Sequence, residues 1–349
     1  MKKIKMAMFD SRPYDIEFFD LVNKKYNYEI KYFKNRLSAD TVKLTEGYNA
    51  VCVFVNDPLD SFMIGALSKS GIEIIALRCA GYNNVDLKAA YGKLHVVRVP
   101  EYSPYAVAEH AAALILSLNR KIHKAYYRTK DSNFNINGFL GFDMHGKTAG
   151  VIGTGKIGRV FIGIMLGFGM KVLAYDAYPD GDYAAQNGFA YVPLRELYGR
   201  SDIISLHCPL NRETSHLINR ESLAEMKTGV MLINTGRGRL IDTRALIKAL
   251  KDGTVGAAGL DVYEEESEYF FEDRSAEIMS DDVLARLLSF PNVLITSHQG
   301  FFTREALYKI ADTTFGNLRD FFSGAKLSNE VCYKCDNSPC ARDTAGRCF

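Results

Sequence analysis

The sequence contains no dense tract of lysine and arginine, and its 43 basic and 41 acidic side chains leave a formal charge of only +2. Proteins that bind nucleic acids or membrane surfaces ordinarily concentrate positive charge in a patch or tail. The balanced charge therefore argues against both kinds of partner and favours a small molecule.

Long apolar runs are also missing, since none reaches the ~20 residues that a membrane-spanning helix requires. The first residues, MKKIKMAMFD, lead directly into a strand-like pattern and not into the apolar stretch of a secretory signal. We therefore expect a cytoplasmic protein. Seven cysteines are an odd number, and Cys52, Cys79 and Cys208 lie in or beside apolar runs, which predicts buried, reduced thiols.

The 349 residues suit two domains, each large enough to bury a core. Up to about residue 100, short apolar runs alternate with helix-like stretches, which predicts a small parallel sheet. A second series starts near Lys147 and contains the apolar runs TAGVIG, KVLAYD, DIISLH, GVMLINT, VGAAGLDV and NVLITSH. Strands of this kind with helices between them predict a doubly wound sheet.

A glycine-rich turn follows the predicted strand TAGVI, and its motif GTGKIG contains Gly153, Gly155, Lys156, Ile157 and Gly158. Glycines at this spacing let the backbone turn sharply and approach a pyrophosphate, at which the following helix directs free N–H groups. Asp176 ends the next strand, where a carboxylate accepts hydrogen bonds from the adenosine ribose. Because no arginine follows to accommodate a 2′-phosphate, the sequence predicts NAD as the cofactor.

The domain organisation follows from the position of this motif in mid-sequence. Residues 104 to about 127 are predicted to form one long helix, and residues 303–322 another that folds back onto the first domain. The predicted fold class is α/β with two doubly wound parallel-sheet domains. A Rossmann NAD domain at 102–300 is inserted into a discontinuous, flavodoxin-like substrate domain at 1–101 and 301–331. Residues 332–349 form a cysteine-rich tail.

Polar side chains follow three of the predicted strands, at the edge where chemistry collects in doubly wound folds. Arg237 follows GVMLINT between two glycines, Asp261 ends AAGLDV ahead of three glutamates, and His298 ends NVLITSH. Reduction of a 2-keto acid requires a carboxylate anchor, a proton donor and an acid that keeps the donor charged. Arginine, histidine and glutamate can fill these roles.

In their order along the chain, GTGKIG, INTGRG, LDVYEEE and TSHQ resemble the D-2-hydroxyacid dehydrogenase family. The segments RCAGYNNVD and VPEYSPYAVAEH look like its fermentative D-lactate dehydrogenase branch. The similarity runs from residue 1 to about residue 331. It implies Arg237 as substrate anchor, His298 as acid/base and Glu266 as the partner of His298, since the family's glutamate stands five residues after the strand-end aspartate. Gly300 departs from the alanine usual in the family's lactate enzymes.

The resemblance also implies the binding residues and the reaction. A substrate wall is implied at Ala80, Gly81 and Tyr102. Cofactor contacts are implied at Cys208, Pro209, Thr235, Gly236 and Arg237, with Asp261 at the nicotinamide amide. The implied reaction is the reversible, NADH-dependent reduction of pyruvate to D-lactate by a homodimer or homotetramer. Two alternatives stay open: the same chemistry on a bulkier 2-keto acid such as phenylpyruvate or 2-ketoisocaproate, and a non-catalytic NAD-sensing protein.

The other histidines have less specific surroundings. His207 also ends a strand and is the main rival to His298, but Cys208 and Pro209 follow it, so we expect it to pack beside the cofactor. A lone helical histidine such as His110 is more often packed and hydrogen-bonded than catalytic. The remaining four are expected at the surface: His95, His123, His145 and His216.

Four cysteines crowd the C-terminal tail, at positions Cys332, Cys335, Cys340 and Cys348. Four thiolates could close a structural zinc site or hold an iron–sulfur cluster. Their irregular spacing is equally compatible with free or redox-labile thiols. We therefore assign no metal ligand from the sequence.

Overall fold

The computed structural model describes residues 3–265, 269–335 and 340–349, apart from the side chain of Asp343. The chain divides into two compact units. Unit 1 comprises residues 1–103 and 302–349, and unit 2 comprises residues 104–301. In the part of the chain that is described, no helix is both long and apolar enough to cross a bilayer.

The sheet of unit 1 has five parallel strands in the order β2-β1-β3-β4-β5. They are β1 (Lys5–Met8), β2 (Glu29–Tyr32), β3 (Ala50–Val53), β4 (Ile74–Leu77) and β5 (His95–Val97). The central strands β3 and β4 are buried along their whole length, as in parallel sheets that helices cover on both faces. The strand order is that of flavodoxin-like folds.

The helices of unit 1 come from both ends of the chain. They are α1 (Pro13–Asn23), α2 (Ser61–Lys69), α3 (Leu87–Ala90), α12 (Arg304–Phe322) and α13 (Ala341–Ala345). Helix α12 begins at a cap in which the Thr303 side chain accepts a hydrogen bond from the Ala306 N–H. It packs on α1, where the rings of Phe19 and Phe315 meet edge to face at 5.2 Å. Helix α12 thus completes the sheet domain built from the first hundred residues.

Unit 2 starts with two helices where the sequence predicts one, and that prediction is wrong. Helix α4 (Pro104–Arg120) ends at Lys121, whose φ of +51° is left-handed, and α5 (Ile122–Lys130) follows. Distant backbone groups hold this break: the Asn119 amide bonds both the N–H and the carbonyl of Phe142, and Lys121 donates to the Leu140 carbonyl. Contacts about twenty residues away therefore stabilise a conformation that local propensity disfavours.

The sheet of unit 2 has seven parallel strands in the order β12-β11-β10-β9-β6-β7-β8. They are β6 (Thr148–Ile152), β7 (Lys171–Tyr175), β8 (Ala190–Tyr191), β9 (Ile203–Leu206), β10 (Val230–Asn234), β11 (Val255–Leu260) and β12 (Val293–Ile295). Counted from the first strand of the unit, this is the Rossmann order 3-2-1-4-5-6 with one strand added. The predicted fold class is confirmed.

Helices cover both faces of this sheet. In chain order they are α6 (Lys156–Gly167), α7 (Gly181–Asn187), α8 (Leu194–Arg200), α9 (Arg220–Ala224), α10 (Thr243–Asp252) and α11 (Asp282–Leu288). One core joins α4 and α6 to the sheet, and a second core on the other face joins it to α8, α9, α10 and α11. All strands run in the same direction, so their carboxyl ends share one edge.

Candidate active site

The glycine-rich turn lies between β6 and α6, and two of its glycines are required by close packing. Gly153 has a φ of +96°, and a Cβ there would lie 2.5 Å from the backbone nitrogen of Cys208. A Cβ at Gly158 would lie 2.0 Å from the carbonyl oxygen of Gly153. Any other residue at either position would push the turn off the neighbouring strand end.

Gly155 is different, because none of the described residues has an atom within 4 Å of the place that its Cβ would occupy. Packing within the protein therefore does not demand a glycine here, whereas close approach of a ligand to the backbone would. Gly155 caps the N-terminus of α6, with Lys156 exposed and Ile157 half-buried in the first helical turn. The free N–H groups of this turn suit the pyrophosphate of a dinucleotide.

Asp176 follows β7 and is held next to the glycine turn. Its Oδ2 accepts hydrogen bonds from the N–H (2.6 Å) and the hydroxyl (3.0 Å) of Thr154, and its Oδ1 accepts one from the N–H of Tyr178 (2.9 Å). Burial raises the pKa of Asp176, but these hydrogen bonds outweigh it, so the net pKa lies below its usual value. The group is a fixed anion, and its contact with the ribose of NAD stays a prediction from the sequence.

Strand β9 is followed by His207, whose imidazole is uncharged at neutral pH. Burial lowers the pKa of His207 to about 3. Its Nε2 lies 2.9 Å from the hydroxyl of Ser205, and its ring lies 4.8 Å from that of Phe161. Cys208 and Pro209 follow, and burial raises the pKa of the Cys208 thiol to about 11. His207 is thus an uncharged side chain packed against Phe161.

Strand β10 leads into Thr235, Gly236 and Arg237. The side-chain amide of Asn234 accepts a hydrogen bond from the N–H of Gly236 (3.0 Å) and donates one to the carbonyl of Arg237 (2.9 Å). The Arg237 guanidinium is half-buried and donates to the Gly236 carbonyl at 2.8 Å. The buried Thr235 hydroxyl has no hydrogen-bond partner among the described residues. A rigid turn thus offers a cation and an unsatisfied hydroxyl to a ligand.

Asp261, directly after β11, is the centre of a hydrogen-bond network and is only 1% exposed. Its Oδ1 accepts from the Thr296 hydroxyl (2.6 Å) and the Gln299 N–H (2.9 Å), and its Oδ2 accepts from the Gly300 N–H (2.7 Å). The Nε2 of His110, on α4, lies 3.2 Å from the same Oδ1 and 3.0 Å from the Thr296 hydroxyl. The carboxylate therefore fixes the loop after β12.

The electrostatics of Asp261 match this geometry. Burial raises the pKa of Asp261, but hydrogen bonds from His110 and Thr296 more than compensate, so the net pKa is lowered. The carboxylate stays ionised and keeps its donors in place. All the described donors to the Asp261 carboxylate are protein groups on α4 and in the loop after β12. The contact of Asp261 with a nicotinamide amide therefore stays a prediction.

His298 lies in the loop that Asp261 holds. Its N–H donates to the backbone carbonyl of Asp261 at 2.8 Å, and its φ of +48° is left-handed. The half-buried ring lies 5.9 Å from that of Phe271, tilted by 34°. A non-glycine residue in this region costs ~1–3 kcal/mol and persists where surrounding contacts impose it, typically at functional sites.

The predicted partner of His298, Glu266, lies outside the described residues. Glu264, two positions earlier, forms its described contacts with other residues. Its Oε1 lies 2.7 Å from Nε2 of His216, and its Oε2 accepts a hydrogen bond from the N–H of Thr243 at 2.9 Å. Glu264 thus stabilises the start of α10.

Three predicted substrate residues lie in unit 1. Ala80 and Gly81 follow β4, where the Ala80 carbonyl accepts from the Arg98 guanidinium at 2.7 Å and the Gly81 carbonyl accepts from the Cys79 thiol at 3.2 Å. Tyr102 is half-buried and follows β5. Arg98 therefore fixes the backbone that the sequence assigns to the substrate wall.

Two members of the network around Asp261, Thr296 and His110, are not among the site residues predicted from the sequence. The position of Thr296, two residues before His298 in the same strand end, is a local signal for it. His110 lies 186 residues from its partner Thr296, so no local pattern indicates their contact. The surface prediction holds for His145 and His216 and is wrong for His95 and His123, which are partly buried.

Comparisons with known proteins show which family and fold the chain resembles. The family described as D-isomer specific 2-hydroxyacid dehydrogenase, NAD binding domain, matches residues 112–300. The D-lactate dehydrogenase of Escherichia coli K12 is 49% identical over 329 residues, which are 94% of this chain and 100% of that one.

Two solved structures illustrate the similarity of fold. The pyruvate reductase of Chlamydomonas reinhardtii has a TM-score of 0.90 at 43% identity, covering 94% of this chain and 98% of that one. The NAD-complexed form of a D-isomer specific 2-hydroxyacid dehydrogenase from Lactobacillus delbrueckii ssp. bulgaricus has a TM-score of 0.80 at 32% identity, covering 94% and 100%.

Proposed function

Because this chain belongs to the D-2-hydroxyacid dehydrogenase family and uses NAD, we propose that its reaction is the reversible, NADH-dependent reduction of pyruvate to D-lactate. Relatives that it resembles along nearly their whole length are described as a D-lactate dehydrogenase and a pyruvate reductase. These descriptions support the choice of pyruvate among the 2-keto acids.

One observation carries the proposal: Arg237, Asp261 and His298 follow three neighbouring parallel strands, β10, β11 and β12. Adjacent strands are ~4.8 Å apart, so the segments that bear Arg237 and His298 begin roughly 10 Å from each other at one edge of the sheet. A small 2-keto acid could be held at its carboxylate by the first and reached at its carbonyl by the second.

Each group has a distinct task in this proposal. Bound NADH supplies the hydride that C2 of pyruvate accepts. Arg237 binds the substrate carboxylate through charge-assisted hydrogen bonds. His298 gives its proton to the carbonyl oxygen and is reprotonated from solvent, and Glu266 favours its charged form. Asp261 positions the His298 loop.

The cofactor would be held by the strand ends described above. We assign the pyrophosphate to Gly153, Gly155, Lys156, Ile157 and Gly158, and the adenosine ribose to Asp176. The remaining cofactor contacts are assigned to His207, Cys208, Pro209, Thr235, Gly236, Arg237 and Asp261. Two observations support this assignment: among the residues that the structure describes, the Thr235 hydroxyl has no hydrogen-bond partner and the space beside Gly155 is open. The substrate wall is assigned to Ala80, Gly81 and Tyr102.

His207 does not compete with His298 for the acid/base role. A histidine whose pKa is about 3 is neutral at pH 7 and lacks the imidazolium proton that a general acid donates. This supports the assignment of proton transfer to His298.

The test is a kinetic survey of purified protein with NADH and a panel of 2-keto acids that includes pyruvate, phenylpyruvate and 2-ketoisocaproate. We expect the highest kcat/KM with pyruvate and an R-configured product. A higher kcat/KM with phenylpyruvate or 2-ketoisocaproate would mean that the bulkier acid, and not pyruvate, is the substrate. Tight NADH binding without turnover of any acid would refute the enzyme and support an NAD-sensing protein.

The variant His298→Asn tests the assigned acid/base. We expect kcat to fall by about 10²–10⁴-fold with NADH affinity retained, because general acid–base catalysis contributes this much. His145→Asn replaces an exposed histidine and serves as the matched control. Near-normal turnover of His298→Asn would refute the assignment.

We also propose a cytosolic location and a homodimeric or homotetrameric assembly. The buried cysteines Cys52 and Cys79 form no disulfide, which supports a reducing compartment. Molar mass from light scattering decides the assembly, and a monomer would contradict it.

A further inference from the structure

The four cysteines of the C-terminal tail converge on one point in unit 1. The Sγ atoms of Cys332, Cys335, Cys340 and Cys348 all lie within 4.8 Å of one another. Five of the six pairs are separated by 3.7–3.9 Å. All four are free cysteines, so the cluster is not a pair of disulfides, in which bonded sulfurs lie ~2.05 Å apart.

These separations match the ligand shell of a single metal ion. Zinc binds thiolates at ~2.3 Å in tetrahedral geometry, which places the sulfurs about 3.8 Å from each other. An iron–sulfur cluster binds its thiolates through several iron atoms, so its ligand sulfurs are spread more widely than ligands of one ion. The observed spacing therefore favours a mononuclear site.

The local backbone is also that of a metal-binding turn. The N–H of Cys332 donates to the Sγ of Cys335 at 3.2 Å, and the N–H of Cys335 donates to the carbonyl of Cys332 at 3.1 Å. This compact CxxC turn directs two sulfurs to the same point. Cys340 caps the N-terminus of α13, and Cys348 follows that helix at the end of the chain.

Apolar packing does not account for the convergence. Among the described residues, the buried cluster consists of Cys332, Cys340 and Cys348, with only Cys335 and Tyr91 packed against it. A core without an aliphatic side chain provides little hydrophobic stabilisation for a tail of 18 residues. A metal ion would supply the missing free energy, as it does in other small cysteine-rich modules.

The tail is fastened to unit 1 around the cluster. Glu330 is fully buried; its Oε2 accepts from the N–H of Cys348 at 2.6 Å, and its Oε1 lies 2.5 Å from Nδ1 of His95, in β5. The ring of Phe349 stacks on that of His95 at 4.2 Å. Arg347 donates to the carbonyl of Phe321, on α12, at 2.8 Å. The cluster thus lies in a docked segment.

We propose that Cys332, Cys335, Cys340 and Cys348 bind one zinc ion, which folds the C-terminal tail and clamps it against β5 and α12. Four protein ligands leave no open position, so the ion is structural and takes no part in hydride transfer. The inference is independent of the substrate proposed above.

The test is elemental analysis of untagged, full-length protein purified without chelators. We expect about one zinc per chain, and below about one tenth in the double variant Cys332→Ser/Cys335→Ser. Cys52→Ala, which alters a buried cysteine of β3 outside the cluster, should retain the ion and is the matched control. Replacement by Co²⁺ should give the intense visible absorption of a tetrahedral thiolate complex.

The wild-type protein alone can overturn the proposal, whether or not the double variant folds. Absence of metal would refute it, as would four rapidly reacting thiols in the native protein. If the purified protein contained iron and acid-labile sulfide, the four cysteines would bind an iron–sulfur cluster and not zinc. Undiminished zinc in the double variant would show that the metal is bound elsewhere.

Discussion

Replacing Thr296 by valine removes one hydroxyl from the network around Asp261 and keeps the outline of the side chain. The hydroxyl donates to the Asp261 carboxylate at 2.6 Å and lies 3.0 Å from Nε2 of His110. A hydrogen bond to a charged acceptor contributes about 1.5–3 kcal/mol, and the carboxylate keeps its backbone donors, so we expect a loss of about 2 kcal/mol.

For a unit of this size, that loss corresponds to a melting temperature about 4–8 °C lower. The effect on catalysis follows from the same contacts, because Asp261 holds the N–H groups of Gln299 and Gly300 and the backbone of His298. We expect kcat to fall about tenfold, since small displacements of a catalytic group are costly.

The matched control is Thr296→Ser, which keeps the hydroxyl and removes only a methyl group. Calorimetry and steady-state kinetics should place Thr296→Ser near wild type and Thr296→Val well below it. If valine leaves both the melting temperature and kcat unchanged, the network does not position His298. If serine is as defective as valine, packing of the methyl group is responsible and not the hydrogen bonds.

Two further predictions concern the cofactor edge of unit 2. Gly153→Ala should destabilise the protein by more than about 2 kcal/mol and weaken NADH binding, because φ is +96° and the added Cβ would lie 2.5 Å from the Cys208 nitrogen. The control Gly163→Ala, inside α6 with open space around it among the described residues, should be neutral or stabilising. Equal melting temperatures for the two variants would contradict the steric argument. The pKa of His207 is about 3 in the folded protein against ~6.5 when unfolded, so its contribution to stability is complete above pH 6.5 and is lost as pH falls below it. Melting temperatures at pH 7.5 and 5.5 should therefore differ less in His207→Gln than in wild type, and an unchanged difference would refute the assignment.

The fold class and the strand ends were accessible from the sequence because parallel strands buried on both faces are continuous apolar runs. Of the twelve strands in the described part of the chain, eleven coincide with such runs, and β8 (Ala190–Tyr191) was missed because two residues carry no periodic signal. The helix break at Lys121 was not predictable, since neither glycine nor proline marks it and its stabilising contacts lie about twenty residues away.

The candidate site residues at the carboxyl ends of the unit 2 strands could be predicted from the order of residues along the chain. Glycines follow one strand and an aspartate the next, and an arginine, an aspartate and a histidine follow later strands. Such patterns are local, and they follow from the geometry of one strand and one turn. Long-range pairing was decided only in three dimensions. The carboxylate of Asp261 binds His110 from a distant helix, Glu330 binds His95 across 235 residues, and four cysteines with irregular spacing meet at one point. Burial and hydrogen bonding between remote segments depend on how the sheets and helices pack, and no periodicity of the chain records that.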